Sequence, residues 1–187
     1  GHGTDYTFKV DIAEGYSKTG SYRVLVNGSA VDGIMGDETG DTFLLTGVSG
    51  SMTITVEGVA DITPPAAEIA VGTNKFSSFM NTITFGLFFK KTQTVTVTAS
   101  DVGSGLSKAE YLLSETAFED KDAIAGNWTE LTLTEGTAAF RIEPSRKAYV
   151  YLRVTDVSGN ITVINSDGVV VYTDAEAITE AVSFTKL

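Results

Sequence analysis

Apolar and polar residues alternate with a period of two along most of the chain, as in strands that bury one face. Near the start, Phe8, Val10 and Ile12 face one way, and Thr7, Lys9 and Asp11 the other. Tyr22, Val24 and Val26 repeat the figure, and Met52, Ile54 and Val56 alternate with Thr53, Thr55 and Glu57. Glycine- and acid-rich stretches such as "NGSAVDG" and "DGIMGDETGD" separate these runs as turns and long loops. Further strands are expected near residues 68–71, 82–89, 92–100, 109–113, 128–133, 138–142, 149–155, 161–164 and 169–172. One short helix is expected in "TAFEDKDAIAG", with Thr116 as N-cap, Glu119 as its capping-box partner and Gly126 as the stop.

"GVADITPPAAEI" interrupts the pattern. Pro64 and Pro65 fix their own φ and cannot donate to a ladder, so they suit a stiff connector. This divides the chain into a small all-β module over residues 1–62, a β-sandwich over 63–175, and a tail over 176–187. Strand spacing of about 8–12 residues supports the sandwich. The tail's "AVSFTKL" is similar to the opening "YTFKVDI" and reads as the first strand of a following module, with a terminal helix as the alternative. The expected class is all-β, two β-sandwich modules in tandem, the second carrying the helix.

Composition narrows the function. A net charge of −11 leaves no excess of Lys and Arg to neutralise phosphates, which argues against nucleic acid and against an anionic membrane surface. No apolar run approaches the roughly 18 residues that cross a bilayer. With no cysteine, disulfides, thiolate metal sites and cysteine nucleophiles are excluded. His2, the one histidine, lies in an opening "GHG" that reads as a tag remnant on a fragment of something longer, so a Ser-His-Asp triad is not expected. No nucleophile–base signature stands elsewhere, and the expectation is no enzyme and no cofactor.

The entry "DITPPAAEI", the central "TVTVTASDVGSGLSKAEYLLS" and the exit "AYVYLRVTDVSGNIT…GVVVYTD" resemble a bacterial Ig-like module from surface proteins of Gram-positive bacteria, over residues 61–175. "YRVLVNG" and "MTITVEGVADITPP" resemble a shorter partner module of such arrays. The resemblance implies tandem Ig-like modules acting as a spacer, stalk or adhesive unit of a cell-surface or secreted protein, with no shared catalytic residues. The implied partners are other modules of the same chain, and the chain is expected to be a monomer.

Three features compete for a binding role. Asp101 and Asp156 each leave a strand at a glycine-bearing corner. Turn chemistry explains both and is preferred to calcium ligation. Asp32, Asp37, Glu38 and Asp41 share the acidic loop, which lacks the spacing of a known calcium loop and reads as a solvated loop. Trp128, Tyr149 and Tyr151 make the alternative function, a carbohydrate- or protein-binding face, because alternation sends Val150, Leu152 and Val154 inward and leaves Tyr149, Tyr151 and Arg153 outside. "TITFGLFFKK" reads as a strand buried on both faces, although an exposed patch of that kind would mark an interface.

Overall fold

A computed structural model describes residues 3–173, and the expected tail strand and His2 lie outside that range. The protein is all-β. It divides into two compact units: Gly1–Thr63 with Val102–Ser104, and Pro64–Asp101 with Gly105–Leu187.

The first unit has two three-stranded sheets. One orders β1 (Thr4–Asp11), β5 (Gly40–Val48) and β4 (Met35–Asp37); the other orders β3 (Ser29–Val31), β2 (Tyr16–Val26) and β6 (Ile54–Asp61). The acidic stretch is therefore a hairpin, since Met35–Asp37 pairs back on β5. Val24, Val26 and Phe43 are buried, and Phe8 stacks on its ladder partner Phe43 at 5.1 Å between ring centroids. Val24 and Val26 pair with Val56 and Ile54, which are about 40% exposed, so the expected buried face holds on β2 and not on β6. The excursion Val102–Ser104 belongs here by proximity. Ser104 N–H donates to Asp61 at 2.7 Å and Thr63 N–H at 2.9 Å. Those bonds hold the Asp61 carboxyl below its ordinary value.

In the second unit two sheets enclose one core. The four-stranded sheet runs β13 (Thr137–Ile142), β10 (Gln93–Ser100), β7 (Ala66–Val71), β8 (Asn74–Phe76). The six-stranded sheet runs β12 (Thr129–Leu131), β11 (Leu106–Ser114), β14 (Arg146–Asp156), β16 (Gly168–Val171), β9 (Phe85–Phe89), with β15 (Ile161–Asn165) also on β14. Alternation supplies the facing layers. Ile69, Val71, Val95, Val97 and Ile142 come from one sheet, and Val150, Leu152, Val154, Ile164 and Val169 from the other. Tyr111 stacks on Phe140 at 3.9 Å.

Two expectations change. The helix is a single 3₁₀ turn, Lys121–Ala123, capped by Asp120 rather than Thr116. Ala117, Phe118 and Ile124 in that stretch pack onto the sheet along an irregular path. "FGLFF" is not buried on both faces: it is the end strand of its sheet, and Phe88 is 62% exposed.

Candidate functional site

The residues marked for chemistry on the second unit gather on the outer face of β11 and β14. Register sets three cross-strand rows there: Ser114 with Tyr149, Leu112 with Tyr151, and Glu110 with Arg153. The inward reading of Val150, Leu152 and Val154 holds, since all three are fully buried. The outward reading of the tyrosines as an exposed platform does not: Tyr149 is 7% exposed and Tyr151 is completely buried. Segments distant in sequence cover them. Phe79, Met80, Ile83 and Phe85 come from before β10, and Ala117, Phe118, Ile124 and Trp128 from after β11.

Polar tips hold this cover down. The Tyr151 hydroxyl accepts Phe118 N–H at 2.8 Å, and the two rings meet edge to face at 5.4 Å. Burial pushes the Tyr151 phenol up from its ordinary value. Asn165, fully buried, takes Met80 N–H on Oδ1 at 2.8 Å and gives Nδ2–H to Met80 O at 2.9 Å, as a strand neighbour would. Nothing in the local pattern "ITVIN" marks Asn165 for that role.

The third row is polar. Glu110 Oε2 accepts from Arg153 Nε at 2.9 Å and Nη2 at 2.8 Å, and Lys108 Nζ sits 2.6 Å from Oε1. Trp128 lies over the Arg153 guanidinium, 4.4 Å from its ring centroid, so one face of the indole is taken. Burial pushes the Glu110 carboxyl up, and the bonds and charges of Lys108 and Arg153 outweigh it and hold the group below its ordinary value. A depressed carboxylate stabilises the fold above its unfolded value, near 4.3, and loses that contribution as pH falls through the lowered folded value. Wild type and Glu110→Gln should therefore differ most in melting temperature near pH 7 and converge towards pH 3; a constant gap would contradict the network.

At the corners, Asp101 accepts Gly105 N–H at 2.7 Å. Asp156 accepts Asn160 N–H at 2.8 Å and its side-chain amide at 2.7 Å. Gly105 and Gly159 turn the chain at φ of 88° and 93°, a region that disfavours side chains. Val157 N–H donates to Gly105 O at 2.9 Å, and oxygens of Asp101 and Asp156 come within 4.8 Å. That spacing suits a shared cation, and both carboxylates are engaged in closing their own turns.

In the acidic hairpin Asp37 Oδ1 accepts from Thr39 N at 2.8 Å and Oγ1 at 2.6 Å, which holds its carboxyl below the ordinary value. Lys18 Nζ pairs with Asp41 at 3.0 Å, donates to the carbonyls of Asp37 and Gly40, and lies 4.8 Å from the Tyr22 ring centroid. An ammonium thus occupies the centre of the carbonyl and carboxylate oxygens, while Asp32 stays exposed and outside this arrangement. Both paired side chains are about four-fifths buried, between the exposed and deeply buried regimes. Lys18→Met should cost about 1–3 kcal/mol in urea unfolding and raise hydrogen exchange in β2 and β5; a loss under about 0.5 kcal/mol would class the pair with surface bridges.

No protein-family model matches the chain, and no curated protein or solved structure matches it either.

Proposed function

We propose that the chain is a non-catalytic spacer, stalk or adhesive piece of a bacterial cell-surface or secreted multidomain protein, built of tandem Ig-like modules. The extracellular bacterial setting rests on the motif resemblance at the two corners. One structural observation supports the mechanical role. In the second unit β9, early in the unit, pairs in parallel with β16, the unit's last described strand, over Phe85–Phe89 and Gly168–Val171. Tension entering at the start of the unit meets β7 and β8 first; once it reaches β9 it acts on that strand's N-terminal side and leaves β16 from its C-terminal side. With parallel strands those pulls are opposed along one axis, so the ladder is loaded in shear, and its bonds beyond the register shift at Gly168/Val169 resist together rather than unzipping one by one.

The side chains first read as candidates for chemistry fit the same role. The tyrosines hold a cover, the corner aspartates close turns, and Asp37 and Asp41 brace a hairpin. The experiment is single-molecule stretching of the second unit between its ends. A discrete unfolding force is expected, and Val170→Pro, which removes a β9–β16 bond, should lower it. A unit that lengthens without a discrete peak would refute the stalk reading.

A further inference from the structure

"NGSAVDG" opens on an Asn-Gly pair, the one such pair among the six asparagines of the chain. Asn27 and Gly28 form the whole loop between β2 and β3, and both are exposed. Their φ angles, 51° and 82°, are both positive, which makes the loop a type I′ turn. Asn27 is also tied to the residue before β6. Thr53 N–H donates to Asn27 Oδ1 at 2.9 Å, and Asn27 N–H donates to Thr53 O at 2.8 Å. The carboxamide is thereby held beside its own turn.

We propose that Asn27 is a self-modification site, where the Gly28 amide nitrogen attacks the side chain and the residue becomes aspartate or isoaspartate. The Gly28 nitrogen bonds to Asn27 Cγ, and the proton it loses passes through solvent to Nδ2, which leaves as ammonia. One water then opens the five-membered succinimide. Breaking the new N–Cγ bond gives aspartate, and breaking the original peptide bond gives isoaspartate. Nothing is oxidised or reduced. Ring closure needs the Gly28 nitrogen and Cγ on the same side of the Asn27 Cα–C bond. Turning over the single peptide between Asn27 and Gly28 achieves this, converting type I′ to type II′. Both are favoured two-residue hairpin turns, so the pairing of Val24 with Val31 and Val26 with Ser29 survives the flip. The flip carries Gly28 to negative φ, which glycine adopts freely, and nothing lies within 4 Å of where a Cβ there would stand. Asn27 is strained in that state, so it is a minor one. Thr53 N–H already faces the oxygen that takes up negative charge during the attack.

The other five asparagines lack this combination. Four precede Lys75, Thr82, Trp128 or Ile161, whose side chains crowd the attacking nitrogen. Asn165 precedes Ser166, but it is fully buried and both ends of its amide are committed to Met80. Conversion at Asn27 adds one negative charge. Its isoaspartate form also lengthens the main chain by one carbon inside the turn that sets the β2–β3 register. The site lies in the first unit and does not depend on the stalk reading.

The test holds the whole chain in mildly alkaline buffer, native and in denaturing urea, and maps its peptides by mass spectrometry over time. Asn27 should convert ahead of the other asparagines in both, giving isoaspartate as well as aspartate. The native rate should lie within about a hundredfold of the rate in urea, the factor that one strained φ/ψ pair imposes. Gly28→Ala should slow conversion in urea, where folding of the variant plays no part. Asn27 left intact in the native chain while it converts in urea would overturn the flip route, because the hairpin would then have to open first. Aspartate without isoaspartate, or a rate in urea indifferent to Gly28→Ala, would overturn attack by the Gly28 nitrogen in favour of direct hydrolysis.

Discussion

Tyr151→Ala should destabilise the second unit by about 3–5 kcal/mol, no less than the about 2–5 kcal/mol expected for Leu152→Ala beside it. Neighbouring strand positions usually differ sharply in cost, because one faces the core and the other faces water. Here both are fully buried, Leu152 between the two sheets and Tyr151 under the cover built by Phe79, Met80, Phe118 and their neighbours. The tyrosine adds a polar term. Its hydroxyl satisfies Phe118 N–H, so Tyr151→Phe alone should cost about 1–3 kcal/mol by leaving a part-buried donor without its partner. Urea unfolding of the three variants is the measurement. A cost below about 1 kcal/mol for Tyr151→Ala would mean that the cover does not seat on the sheet, and would bring back an open aromatic face.

Asn165→Ala carries the second large effect, about 2–5 kcal/mol. It removes both hydrogen-bond partners of one residue, and leaves Met80 N–H and C=O to find new partners, each at the cost of an unmade part-buried hydrogen bond. The loss should be local before it is global. Amides over residues 77–84 should exchange much faster, while those of β10 and β14, within the two-sheet core, should keep their protection. Uniform loss of protection would contradict the picture of Asn165 as a clamp on one covering segment. Asn165→Asp is the sharper variant, since a carboxylate accepts Met80 N–H but cannot donate to its carbonyl.

The corners and many of the strand faces were legible because they are local. A strand's alternation is set by backbone geometry, so Val150, Leu152 and Val154 point one way whatever lies beyond them. An aspartate that closes a turn onto a glycine a few residues on, as Asp101 does onto Gly105, needs only those few residues. The short helix failed for the opposite reason. Its capping pattern was sound locally, but Ala117, Phe118 and Ile124 gain more by burial on the sheet than one marginal turn of helix can return.

Alternation along the sequence determined that the protein is all-β and which side chains share each strand face. It could not determine what lies against the outward face, because periodicity distinguishes two sides without saying that one is wet. That was decided by tertiary structure, when residues 77–85 and 117–128 closed over β11 and β14 and turned Tyr149 and Tyr151 from a surface into a second core. The same holds at "FGLFF", where five uncharged residues suit a central or an end strand equally. Only the placement of β9 outside β16 leaves Phe88 in water, since exposure depends on neighbours that lie far along the chain.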